Sequence, residues 1–182
     1  MTGPSDIEAL LDGYVPDGDE ISVGIAKDAI RTGRSMWARS EFRPGHFTAS
    51  GFVASPDRTS LLLIHHSKLR RWLQPGGHLE ADDPTVEESS RREIGEETGL
   101  TEIDRVGMSL MRIDAHPIPE RGPEPGHIHI DLAMGFVSRT DEIAVNDEIL
   151  DARWIPWGRL RDFDVDQAVM SGASALRTAL GT

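Results

Sequence analysis

The stretch GGHLEADDPTVEESSRREIGEETGL, residues 76–100, restricts the fold more than any other part of the chain. Pro84 to Thr98 reads as a helix, with Asp83 as its expected N-cap and Pro84 at the first helical position, where its missing N–H costs nothing. Gly99 sits where a left-handed residue would end it. Glu93, Glu96 and Glu97 then stand at i, i+3 and i+4, with their carboxylates on one face. That arrangement opposes helix stability. Like charges at these spacings cost roughly 0.2–0.5 kcal/mol per pair. Carboxylates in the last turns also face the negative end of the helix dipole, at roughly 0.3–1 kcal/mol each. A hard divalent cation held by these oxygens reverses both penalties, because Mg²⁺ prefers carboxylates, water and phosphate oxygens. The competing reading is a solvated, ion-paired helix, supported by the i+4 pairs Glu87–Arg91, Glu88–Arg92 and Arg92–Glu96.

Around this helix the pattern changes several times. Residues 6–15 and 19–33 have helical spacing of apolar positions, separated by the breaker PDGD. His46 to Ala54 and Thr59 to His65 read as strands flanking the turn SPDR. Strand-like stretches follow at Arg105 to Ile113, His127 to Val137 and Leu150 to Ile155, and residues 116–126 form a proline- and glycine-rich loop. The tail from Asp166 to Leu180 is again helical. Strands mixed with helices, without regular βαβ alternation, predict an α+β layered domain. The expected organisation is a helical N-terminal extension over residues 1–40 and a catalytic-type domain over residues 41–182.

Composition narrows the partners. The 182 residues carry a net charge of −12, which argues against binding to nucleic acid or to anionic membrane surfaces. No apolar run approaches the roughly 18 residues that span a bilayer. With no cysteine there is neither a disulfide framework nor a thiolate site. A cytoplasmic protein is expected, acting on a small molecule. A phosphorylated ligand would have to be neutralised locally, by a divalent metal or by placed arginines, and all but Lys27 and Lys68 of the 19 basic residues are arginine.

The second half of the segment, Arg92-Glu93-Ile94-Gly95-Glu96-Glu97-Thr98-Gly99-Leu100, resembles the Nudix box at every specified position. In the first half, Gly77 is followed by Asp83 instead of glutamate, and eight residues instead of seven separate that acid from Arg92. The resemblance implies a Nudix-type α/β/α sandwich with a mixed β-sheet, the box forming a loop–helix–loop. It implies an Mg²⁺-dependent pyrophosphohydrolase, with Mn²⁺ as a substitute ion. The substrate would be a nucleoside diphosphate linked to another moiety: a nucleoside triphosphate, ADP-ribose or a nucleotide sugar. Glu93, Glu96 and Glu97 would bind metal, with the Gly77 carbonyl as a further ligand and Arg92 orienting the glutamates. Glu93 and Glu97 are the catalytic candidates inside the box. Glu148, six residues before Trp154, is the candidate outside it, set against a simple polar turn at Asn146 to Glu148. A homodimer is common in the family. The alternative is a Nudix-fold nucleotide-binding or regulatory domain without turnover, which the retained glutamates disfavour.

Weaker signals lie elsewhere. His127, His129 and Asp131 alternate, so in a strand they share one face. They suit a polar cleft wall or substrate contacts better than a metal site. His65 and His66 face opposite sides of their strand, so at most one can meet the site. Arg70 is a candidate phosphate contact.

Overall fold

The computed structural model describes residues 6–34, 36–147 and 149–182. The chain runs through α1 (Ile7–Asp12), α2 (Glu20–Arg31), β1 (Gly45–Ala54), β2 (Ser60–His66), β3 (Trp72–Leu73) and β4 (Gly76–His78). It continues through α3 (Val86–Thr98), β5 (Ile103–Arg105), β6 (Arg112–Ile118), β7 (His127–Ser138), β8 (Ile149–Pro156), a 3₁₀ segment (Trp157–Phe163) and α4 (Gln167–Leu180).

β1 is the axis of the sheet. It is buried at every position, as expected of a strand covered on both faces. It pairs in parallel with β7, from Gly45 opposite Ile128 to Ala54 opposite Val137. Its other partners, β2 and β4, are antiparallel, as are β5 and β6 on the far side of β7 and β3 and β8 on β2. The sheet is therefore mixed.

Side-chain alternation sorts the core into two layers. Phe47, Ala49 and Val53 of β1 join Ile130, Leu132, Met134 and Phe136 of β7 under α1, α2 and α3. Phe52, Ala54, Leu61, Leu63 and Ala133 face Val169, Ala173 and Leu176 of α4. The result is a mixed sheet between helices, the sandwich expected from the sequence. Leu11, Val23 and Ala26 of the first two helices lie in the same cluster as Phe47 and Ile113, so these helices complete one layer of the sheet's core. Among the described residues, no helix is long and apolar enough to cross a membrane.

Two local expectations are corrected. The helix does not begin at Asp83 and Pro84. Thr85 is its N-cap, extended at φ −144° and accepting the Glu88 N–H on Oγ1 at 3.1 Å. Asp83 is occupied instead by the Glu80 N–H, the Ser89 hydroxyl and Arg92. The single strand expected at Arg105 to Ile113 is two strands. Gly107, at φ 69°, turns the chain so that β5 and β6 both pair with β7. β6 then extends to Ile118, into the expected loop. Gly99 ends α3 in the left-handed conformation at φ 72°, as its position predicts.

Gly172 brings α4 against the sheet, where an added Cβ would overlap the ring of Phe52, itself 1% exposed. A buried ring cannot step aside cheaply. Gly172→Ala is expected to destabilise the protein by about 1–3 kcal/mol, read from denaturant unfolding.

Candidate active site

The last two turns of α3 lie over the strand that precedes them. β4 pairs with β1 through Gly76 opposite Ser50 and Gly77 opposite Ala49, which brings a side-chain-free backbone under the glutamates. Glu97 is 4% exposed, and its Oε2 accepts the Gly76 N–H at 2.9 Å. The Glu93 carboxylate lies so close to Gly77 that a Cβ there would overlap it. Glycine is needed at 77 for this packing, not for an unusual φ. Glu96 projects outward, its side chain 57% exposed, 3.5 Å from Arg92.

Arg92 ties helix to loop. Its guanidinium donates to Asp83 at 3.2 and 3.0 Å, to the His78 carbonyl at 2.8 Å and to Glu93 Oε1 at 2.8 Å. Burial pushes the Asp83 carboxyl up, but hydrogen bonds from Arg92, Ser89 and the Glu80 N–H outweigh it and hold it below its ordinary value. Burial likewise opposes the charge on Arg92, and its bonds to Asp83 and Glu93 more than restore it. The acid–arginine pair is therefore made by aspartate, with its extra spacer residue.

The carboxylates of Glu93 and Glu97 lie against the glycine backbone at 76–77, oxygen donors of the kind a hard divalent ion takes, in a cradle that any side chain at 77 would fill, whereas Glu96 stands exposed beside Arg92. Glu148 lies outside the described residues. Asn146 donates to the Glu96 carbonyl at 2.8 Å, against the C-terminal part of α3.

The opposite face of β1 and β4 carries a polar group of side chains. Asp131 accepts from Thr48 at 3.0 Å and Ser50 at 2.5 Å, with Gln74 at 3.4 Å. Burial raises its carboxyl, against those hydrogen bonds. Next to it the register aligns His46 with His129 and His129 with His116. His127 and His78 complete the cluster, the His78 ring 5.1 Å from both His46 and His129. Burial, reinforced by neighbouring histidines, lowers His78 to about 4 and His129 to about 2. His116 behaves oppositely, raised by its 2.8 Å bond to Asp114.

The structure thus brings His127 and His129 together with His46 and His78, and His78 joins this face to the box through its carbonyl on Arg92. His46 had no local signal, because only strand register places it there. His65 is elsewhere, stacked on Trp72 at 5.1 Å. Arg70 stands exposed on the turn between β2 and β3, at φ 55°. Beside the box loop, Trp37, Phe42, Leu79 and Ala81 line an open depression of about 450 Å³, rimmed by Arg39 and Glu124. The sequence reading did not single out Trp37 or Phe42.

A helix that lays glutamates on a glycine backbone of a mixed sheet is the arrangement these residues build, and comparison with known proteins gives the family. The NUDIX domain family model matches residues 45–172, well over half the chain, and the chain belongs to that family. It is a hydrolase of the kind that acts on pyrophosphate bonds. A NUDIX-family hydrolase from Clostridium perfringens is similar at 21% identity and TM-score 0.56, over 75% of this chain and 96% of that one. The NUDIX domain of Shewanella oneidensis NrtR, solved with ADP ribose, shares 13% identity and TM-score 0.56, over 85% and 97%. The E. coli dihydroneopterin triphosphate pyrophosphohydrolase shares 13% identity and TM-score 0.53, over 78% and 98%. At these identities the likeness concerns the fold.

Gly77→Ala tests the cradle. The overlapped group is the end of a flexible side chain, so the fold is expected to tolerate the change. Displacing the carboxylate by about 1 Å is expected to lower turnover by roughly 10²-fold, measured by steady-state kinetics beside a thermal melt.

Proposed function

We propose that the protein is an Mg²⁺-dependent pyrophosphohydrolase that cleaves a nucleoside diphosphate linked to another moiety, with Mn²⁺ able to replace Mg²⁺. The observation that carries this reading is the placement of the Glu93 and Glu97 carboxylates on the Gly76–Gly77 backbone. Glu93, Glu96, Glu97 and the Gly77 carbonyl would hold the ion. A divalent cation there supplies charge neutralisation and Lewis acidity to the phosphate oxygens.

The remaining work falls to the chain. Arg92, fixed by Asp83 and the His78 carbonyl, holds one oxygen of Glu93. Glu93 takes the proton of the attacking water as the new P–O bond forms and the bridging P–O bond breaks. Both products then end in phosphate groups. The depression lined by Trp37, Phe42 and Leu79 suits the organic part of the substrate, since aromatic rings stack on flat bases. Arg70 is assigned to phosphate, with His127 and His129 on the wall of the substrate cleft. The ADP ribose and dihydroneopterin triphosphate in the names of the structural relatives both contain a phosphoanhydride linkage, the bond the proposed reaction breaks.

The test is product release from a panel of nucleoside triphosphates, ADP-ribose, nucleotide sugars and dinucleoside polyphosphates, with and without Mg²⁺ or Mn²⁺, products identified by mass. Metal-dependent cleavage of one class supports the proposal and names the substrate. Tight binding of a nucleotide without cleavage would replace it with a binding domain.

A further inference from the structure

The histidine cluster is separate from the box glutamates, and its geometry poses its own question. His46 Nδ1 lies 2.9 Å from the Glu41 carbonyl and His127 Nδ1 lies 2.9 Å from the Pro125 carbonyl. A carbonyl only accepts, so both Nδ1 atoms carry the hydrogen and both Nε2 atoms of the neutral rings are bare lone pairs. These Nε2 atoms are buried without a hydrogen-bond partner, in residues only 1% and 7% exposed. Two orphaned acceptors in one cluster call for a shared partner.

A third ring supplies the geometry. His46, His127 and His129 each offer a ring nitrogen within 4.8 Å of the others. Their centroids are 4.8 to 5.0 Å apart. Zinc at about 2.1 Å from each nitrogen spaces tetrahedral ligands by about 3.4 Å, so binding would draw the three ring nitrogens closer than the 4.8 Å within which they now lie. The backbone carbonyls on Nδ1 are the outer partners that orient metal-ligating imidazoles.

We propose that His46, His127 and His129 form a second metal centre, a three-imidazole site for Zn²⁺ or a similar first-row transition ion, distinct from the carboxylate site of the box. All-imidazole ligation selects a softer ion than oxygen ligands do, so the two centres differ in preference. Three protein ligands leave one position open for water or an anionic oxygen. The centre would give His127 and His129 a ligand role in addition to their place on the cleft wall, where the sequence grouped them with Asp131. Asp131 is not a ligand, its carboxylate being taken by Thr48 and Ser50.

The experiment is a Zn²⁺ titration of the metal-stripped full chain, followed through the imidazole ¹H–¹⁵N NMR signals. At one equivalent the His46, His127 and His129 signals are expected to shift while His65, stacked on Trp72, does not. His129→Gln is expected to weaken Zn²⁺ binding by more than about 100-fold, since loss of outer partners alone costs about 10–100-fold. Glu97→Gln is expected to leave it unchanged, which separates this centre from the box. If His129→Gln does not fold, the wild-type titration decides by itself. Histidine signals that do not respond, or Zn²⁺ binding lost in Glu97→Gln and kept in His129→Gln, would overturn the proposal and leave the cluster to a buried water.

Discussion

Glu97→Gln is expected to lower metal-dependent turnover by about 10³-fold while the protein still folds. Glu97 is 4% exposed and holds the Gly76 N–H at 2.9 Å. Glutamine has the same shape, and its carbonyl oxygen can accept the same hydrogen bond, so the contact between α3 and β4 survives. What it removes is the charge. A cation held by carboxylates contributes several kcal/mol of transition-state stabilisation, and about 1.4 kcal/mol corresponds to each tenfold in rate. Helix stability should not suffer, because the substitution also removes a like-charge repulsion with Glu93 and an unfavourable interaction with the helix dipole. Steady-state kinetics with a melting curve check both halves. Wild-type turnover in the variant would remove Glu97 from the metal site.

Arg92→Ala is expected to damage stability and activity together. The guanidinium meets Asp83, the His78 carbonyl and Glu93, all within 3.2 Å. Removing it strands the carboxylate of Asp83, which is 8% exposed. Breaking a fully buried pair costs about 3–5 kcal/mol, and partial exposure of Arg92 lowers the expectation to about 2–4 kcal/mol. Turnover should fall about 10–100-fold as Glu93 loses its orienting partner. The pH dependence carries a further signature. Asp83 is held below its ordinary value in the folded protein, so its pairing stabilises wild type above the unfolded carboxyl range. That contribution disappears as pH falls through the depressed folded value. In Arg92→Ala the acid-side loss should be smaller, read from denaturant midpoints between neutral and acidic pH.

Much of α3 is legible in the sequence because its signals are local. The spacing of Glu93, Glu96 and Glu97 and the stop at Gly99 depend on helix geometry alone. Asp83 was misread for a physical reason: a short carboxylate before a helix suits both an N-cap and an arginine partner, and only the fold shows that Thr85 holds the cap. Residues 105–113 have one apolar pattern, and the turn at Gly107 that divides them is fixed by pairing with β7. The histidine cluster lay furthest from view. His127 and His129 alternate visibly, but His46 joins them through parallel pairing with a distant strand, and His78 through antiparallel pairing of β4. Long-range register is not written in any local window.

The most direct measurement is hydrolysis of the best panel substrate in H₂¹⁸O, with the products weighed by mass spectrometry at increasing Mg²⁺. The account predicts one ¹⁸O atom in a single phosphate-bearing product, formed only when the divalent ion is present. Cleavage that proceeds equally in a chelator, or products without ¹⁸O, would contradict a metal-dependent attack of water on the diphosphate.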